Sequence, residues 1–299
     1  MSEAPALVKT SGMHAVDNHP LRAAAWMALA LVSFSAMAVG GREVTGDLDT
    51  FSLMFWRSVM GFAIVCAVVG VSRKFAQMKT QRIGLHLTRN VFHFTGQNLW
   101  FYAIGIIPLA QVFALEFTTP IWVAVLAPLF IGERFTLWRL GTTAIGFIGV
   151  LVVVRPGMTA IGIGEMAALA AAICFSFNVM TTKALSRTET TLSIVFWMTL
   201  TQAVMAFVIM LGQPKIPLMI NVPWVIVVAL GGLTAHFAMA RAFRYADASV
   251  VSPMDFLRLP LIAVVGMIFY SEALDPYVFI GGGLVFLGNY LNIWRVGRR

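Results

Sequence analysis

Residues 102–133, YAIGIIPLAQVFALEFTTPIWVAVLAPLFIGE, and residues 241–272, RAFRYADASVVSPMDFLRLPLIAVVGMIFYSE, carry one pattern twice. Each runs from a small-residue turn into an apolar stretch broken by a proline, Pro120 and then Pro260, and closes on a glutamate, Glu133 and then Glu272. The two copies are offset by about 140 residues in a chain of 299, so the whole molecule reads as a duplicated unit. A duplication of that size restricts the fold to two similar halves packed on each other.

The halves belong in a membrane. Hydrophobic residues make up 59% of the chain and charged residues 11%, with a mean hydropathy of +0.85; soluble domains carry about 25% charged residues. Apolar runs long enough to cross a bilayer fall at 23–40, 51–71, 85–104, 109–131, 137–154, 162–184, 191–212, 223–243, 249–270 and 276–294. This predicts an all-α integral membrane protein of ten spans, with little chain left for a soluble domain. Residues 1–20 are polar, aperiodic and expected to be a disordered cytoplasmic tail. Residues 21–157 form the first repeat (spans one to five) and 158–299 the second (spans six to ten). The first apolar run is full length and is expected to stay as a span, not to be removed as a signal peptide.

Charge placement orients the bundle. Of 21 Lys and Arg residues, fifteen lie in segments that share a side with the N-terminus, three (Arg42, Arg155, Lys215) lie on the other side, and three (Arg57, Arg89, Arg258) lie within spans. That bias predicts both termini in the cytoplasm of a bacterial inner membrane protein. It also explains why the loop after Glu133 reads ERFTLWR, with two arginines, and the loop after Glu272 reads EALDPY, with none. Five spans per copy is odd, so the second copy is inverted. Inverted halves that meet at mid-membrane are a transporter's arrangement. The net charge of +8 is then a topological signal and not a nucleic-acid footprint. Cys66 and Cys174 both fall inside apolar runs, which argues against a disulfide, metal or redox site.

The ten spans, the phrase PLAQVFALEFTTPIWVAVLAPLFIGERFTLWRLGTTAIGFIGVLVVVRPG and its echo ADASVVSPMDFLRLPLIAVVGMIFYSEAL resemble the drug/metabolite transporter superfamily, in its ten-span EamA-type branch. That branch includes YddG-like amino-acid exporters. SEAL stands in the second copy where the family usually has a glycine before the glutamate. The resemblance covers essentially the whole chain after residue 20. It implies an inverted-repeat bundle that moves small organic solutes by alternating access, usually outward.

Ionisable and polar groups inside spans are costly and mark candidate sites. The third span carries His86, Asn90, His93, Gln97 and Trp100, spaced 4, 3, 4 and 3 along one helical face. Such a stripe either lines a watered cavity or packs against polar partners in other helices. His93, Gln97 and Trp100 are favoured for the cavity; His86 and Arg89 lie near the cytoplasmic end and fit the interface. In the second half His236 falls at a depth similar to Gln97, with a structural histidine as the equal alternative. Glu116 and Asp255 precede Pro120 and Pro260 at near-equivalent positions, and the prolines are expected to be hinges or gates. Asp255 is three residues from Arg258, which predicts an ion pair between them. Glu116 then pairs with Arg57 or Arg258, carries a proton, or meets a substrate ammonium. Arg57 has snorkelling as its plain alternative. Tyr102, Phe175 and Asn178 complete the candidate substrate-binding set, although short polar residues such as Asn178 are more often packing glue in membrane helices. Glu133 and Glu272 are expected to end their helices and order their loops, on opposite sides of the membrane.

An intramembrane enzyme is the rival from another class. The chain has no HExxH and no GxSxG elbow, and an inverted repeat gives an enzyme no evident advantage. The reading is therefore a transporter, not an enzyme, with no cofactor and no metal. Its partners are the lipid bilayer and a small solute, and the chain is expected to be a monomer or weak dimer. Amino-acid export comes first among functions, and uptake of a vitamin or other metabolite second. Few fixed charges in the spans argue against sugar phosphates, which need several intramembrane cations.

Overall fold

The computed structural model describes residues 19–131, 137–155, 161–246, 251 and 254–296. Most of the tail expected over 1–20, the repeat boundary at 157–158, and Glu133 lie outside the described residues. Those described form eleven α-helices and one short 3₁₀ turn, with no strand among them. The helices are α1 (Pro20–Val44), α2 (Thr50–Ser72), α3 (Ile83–Ile106), α4 (Leu109–Glu116), α5 (Thr119–Ile131), α6 (Leu137–Val154), α7 (Ile163–Leu185), α8 (Thr191–Ile209), α9 (Val222–Tyr245), α10 (Arg258–Tyr270) and α11 (Pro276–Val296).

Local sequence explains where these helices begin. Asp49 caps α2 by accepting from the Ser52 N–H at 2.9 Å, and Thr190 caps α8 by accepting from the Ser193 N–H at 3.1 Å. Prolines open α1, α9 and α11 in the first turn, where their missing N–H leaves no bond unmade. By length and composition six segments can cross a membrane: Leu21–Val44, Thr50–Ser72, Leu109–Leu126, Ile163–Leu185, Thr191–Ile209 and Val222–Ala242. Three shorter apolar helices accompany them, Leu140–Val154, Arg258–Tyr270 and Pro276–Leu291. Helix α3 is as long as the others, and its polar stripe lowers its hydropathy.

The fourth span is two helices. Helix α4 ends at Glu116 and α5 starts at Thr119, placing Pro120 in the first turn of α5. Likewise Pro260 stands in the first turn of α10. Both prolines thus mark a helix start and do not bend a continuous helix.

The packing partners obey the duplication. Equating spans one to five with six to ten makes the α1–α9 pair the counterpart of α3–α7, and both pairs pack along their lengths. The α2–α8 and α6–α11 pairs are their own counterparts, and these also pack extensively. Their registers settle the orientation. Ser52, at the start of α2, meets Met210 and Lys215 beyond the end of α8, and Gly61 meets Thr199 in the middle. In the other pair Gly149 faces Gly281, and Gly288 faces Thr142 and Gly146. Equivalent helices run antiparallel in both pairs, so the repeat is inverted. A Cβ on Gly149 or Gly281 would lie 2.5 Å from the opposing carbonyl oxygen, so this seam requires glycine, as a close-packing surface would.

One end of the bundle, called proximal here, joins His19 to Tyr245, Thr80 to Glu189, and Met78 to Trp197. The distal end joins Asp47 to Lys215 and Asn221, Arg155 to Asp275, and Glu272 to Arg42 and Leu109. Large apolar side chains such as Val32, Val71, Phe237 and Phe269 stand exposed around the outside, a surface suited to lipid and not to water.

Candidate functional site

A cavity of about 300 Å³ lies where the two halves meet. Its walls come from α1 (Met27, Phe34, Met37), α3 (His93, Gln97, Trp100), the α4–α5 break (Glu116, Phe117, Thr119, Pro120), α7 (Phe175, Asn178, Val179), α9 (His236, Met239) and α11 (Asn289). Val251, Asp255, Phe256 and Arg258, at and before the start of α10, close the ring. It runs from mid-depth toward the proximal end, where Val251 follows the end of α9. Seven of the eight sequence-predicted substrate residues are brought together here: His93, Gln97, Trp100, Glu116, Phe175, Asn178 and His236. Pro120 joins them.

Tyr102 does not. It is 42% exposed and outside the cavity wall. Two residues beyond Trp100 is a rotation of about 200° on a helix, which carries its ring to the opposite face.

The α3 stripe does both things expected of it as alternatives. His93, Gln97 and Trp100 face the cavity and are also held by hydrogen bonds to other helices. Gln202 of α8 bonds His93 Nδ1 at 2.6 Å, Arg57 of α2 donates to Gln97 Oε1 at 3.0 Å, and Trp100 Nε1 donates to Glu116 Oε2 at 2.8 Å. Asn90 faces α8 instead, donating to Thr201 Oγ1 at 2.7 Å and to the Trp197 carbonyl. Both proximal residues depart from the interfacial expectation. His86 is fully buried 3.9 Å from Glu189, and Arg89 is buried and donates to Thr182 Oγ1 at 2.6 Å and Asn90 Oδ1 at 2.8 Å. Arg57 does not snorkel either: it is 7% exposed, and a Cβ at Gly232 would approach its Nη2 to 3.0 Å.

Charge concentrates on the distal wall. Arg258 Nη2 lies 3.3 Å from Glu116 Oε1 and 3.3 Å from Asp255 Oδ2, so the predicted Asp255–Arg258 pair is part of a triad. Of the two arginines proposed for Glu116, Arg258 is the partner. Two carboxylates share one guanidinium, which also sits over the rings of Phe34, Phe113 and Phe117 at 4.6–5.0 Å. Breaking such a buried pair from one side costs about 3–5 kcal/mol, because a desolvated charge is left behind. Asp255 Oδ1 and Arg258 Nε on this wall, and Asn178 Oδ1 on α7, are buried without a protein partner among the described residues. Unpaired polar atoms on a cavity wall are what a polar solute engages.

Several lining residues carried no signal in the sequence. Phe34, Phe117 and Phe256 are ordinary apolar letters in apolar spans. In the fold, Phe117 packs against Phe256 with tilted rings 4.4 Å apart, and the Phe34 ring meets His236 edge-on at 5.3 Å. His93 and His236 face each other with ring centroids 6.4 Å apart, one from each half. No group of His, Cys, Asp and Glu suited to a metal ion occurs among the described residues.

Glu272 also differs from expectation. It does more than end its helix: its two oxygens bridge Arg42 Nη1 at 2.6 Å and the Leu109 N–H at 2.9 Å, far from it in sequence.

Comparison with known proteins agrees with the architecture. A solved crystal structure 16% identical to this chain superposes with a TM-score of 0.63, covering 92% of this chain and 98% of the other, which supports the fold. A riboflavin transporter of Brucella anthropi is 30% identical over 279 residues, covering 91% of this chain and 96% of the relative. An S-adenosylmethionine uptake transporter of Rickettsia bellii is 24% identical over 260 residues, covering 87% and 89%. The EamA-like transporter family matches twice, at residues 21–155 and 162–294, once per repeat. With its inverted halves and the cavity between them, the chain belongs to the EamA-like transporter family, as a multi-pass protein of the inner membrane.

Proposed function

We propose that this protein takes up a small organic metabolite built on a planar heteroaromatic ring, in the chemical class of riboflavin or S-adenosylmethionine. The observation that carries this is the composition of the cavity. Phe34, Phe117, Phe256, Phe175 and Trp100 supply flat apolar surface, the Glu116–Arg258–Asp255 triad supplies charged anchors, and Asn178 of α7 supplies a further polar one. A planar ring stacks on such surfaces, and its polar substituents meet the unpaired atoms. The names of the two relatives above point the same way: isoalloxazine and adenine are both planar heteroaromatic systems. His93, Gln97, Trp100, Glu116, Phe175, Asn178 and His236 are the proposed substrate contacts, and the chain breaks before Pro120 and Pro260 the proposed hinges. The two-repeat division at about residue 157 and cytoplasmic termini belong to the same proposal.

Amino-acid export is the second reading. It is favoured by one feature, the excess of carboxylates over guanidinium on the distal wall, which suits an ammonium group. Purified protein in liposomes separates the two. Counterflow of riboflavin or S-adenosylmethionine, but not of free amino acids, is the expected result. Exchange of amino acids alone would replace the proposal with the second reading, and covalent change of any solute would make the protein an enzyme.

A further inference from the structure

The distal end of the bundle, on the far side of the cavity from Val251, carries a junction that takes no part in the cavity wall. Glu272 Oε1 accepts from Arg42 Nη1 at 2.6 Å, and Oε2 accepts from the Leu109 N–H at 2.9 Å. Arg42 Nη1 also donates to the Ile107 carbonyl at 3.1 Å. Tyr270 stacks under the Arg42 guanidinium at 5.0 Å, and its hydroxyl donates to Glu43 Oε1 at 2.8 Å. Three segments thus meet on one carboxylate: the end of α1 and the α3–α4 turn from the first half, and the end of α10 from the second.

The chain is shaped for this contact. Ser271 takes a left-handed φ of 55°, which turns the backbone so that the Glu272 N–H donates to the Gly266 carbonyl at 3.1 Å. Gly266 leaves open the space that the Glu272 carboxylate occupies, where a Cβ would collide with it. Leu109 is the first residue of α4, so the bond satisfies an amide that the helix leaves unpaired.

We propose that the Arg42–Glu272–Leu109 junction is a latch that holds the distal side of the cavity shut and opens in each cycle. The idea rests on the transport reading above. Its chemistry differs from that of the α6–α11 seam, which also joins the halves. There glycine backbones interlock, and separation leaves voids. At the latch, Arg42 and Glu272 are 21% and 10% exposed, so water can take over their hydrogen bonds as they part.

Ala263 lies on α10, 3% exposed, in the crevice under Glu272 beside Pro108, Gln111 and Val278. With Cys66→Ala and Cys174→Ala as background, Ala263→Cys reports opening through its rate of modification by a charged thiol reagent in detergent. Arg42→Gln and Glu272→Gln are each expected to speed that reaction about tenfold, which corresponds to loss of one charge-assisted bond. The double variant is expected to be no faster than either single one, since both release the same latch. If a variant does not fold, Glu272→Asp takes its place: it keeps the charge and loses simultaneous reach to both partners, and should speed the reaction. Folded variants that react at the parent rate overturn the latch. So does a double variant whose rate is the product of the single effects. Solute counterflow on the same proteins keeps the two ideas apart. Expected labelling without transport of any solute removes the transport reading alone, whereas transport with unchanged labelling removes the latch alone.

Discussion

The two broken spans descend from one repeated unit and meet at the same cavity, yet the first brings it a lone carboxylate and the second a carboxylate and a guanidinium. At the first break the last residue of α4 is Glu116; at the second the first residue of α10 is Arg258, with Asp255 just before it. The inverted duplication explains the shared depth, because each break precedes an equivalent proline. Divergence between the copies explains the polarity, and the polarity ties the halves: Arg258 reaches across to Glu116 at 3.3 Å. Symmetry sets where a site can form, and departures from symmetry give it chemistry.

Removing the cation should expose the largest asymmetry. Arg258→Met leaves Glu116 and Asp255 buried together without a counter-charge, and is expected to cost about 3–5 kcal/mol, read as a lower unfolding midpoint in detergent together with lost transport. Stability close to the parent would mean that the triad does not join the halves. Glu116→Gln acts on the other side of the break and should cost less, about 1–3 kcal/mol, because Arg258 keeps Asp255. Since Glu116 is paired with Arg258 instead of standing alone, transport driven by a pH gradient and exchange at equal pH should fall together in this variant. Loss of the gradient-driven activity alone would identify Glu116 as a proton carrier instead.

Trp100→Phe sharpens the comparison at smaller scale. It keeps the ring packed on Phe101 and Phe113 and deletes the bond to Glu116 Oε2. A loss of about 1 kcal/mol is expected, with a shift in substrate preference and little change in folding. Unchanged preference would place the indole N–H outside the recognition surface.

Much of this was legible before any coordinates. The duplication, its inversion and the α3 stripe follow from spacing and from the placement of basic residues, because a bilayer penalises unpaired polar groups severely enough to leave a written pattern. Three things were not legible. Arg57 and Arg89 look like interfacial cations by position, and their burial depends on Gln97 of α3, forty residues away, and on Thr182 of α7. Phe34, Phe117 and Phe256 are indistinguishable from lipid-facing phenylalanines until the helices are placed. Glu272 reads as a helix end because its partners, Arg42 and Leu109, lie 230 and 163 residues away, beyond any local rule.

The central claim is that solute is held between the halves, against the aromatic and charged walls of this cavity. Counterflow in liposomes by Phe256→Ala beside Tyr102→Ala tests it most directly. Phe256 packs against Phe117 in the cavity wall, whereas Tyr102 stands on the outer face of α3. The account predicts that Phe256→Ala lowers transport at limiting solute by about tenfold or more, as loss of one stacked ring implies. Tyr102→Ala should transport as the parent does, with stability within about 0.5 kcal/mol of it. Equal loss in both variants, or loss only in Tyr102→Ala, would contradict the assignment of this cavity as the transport site.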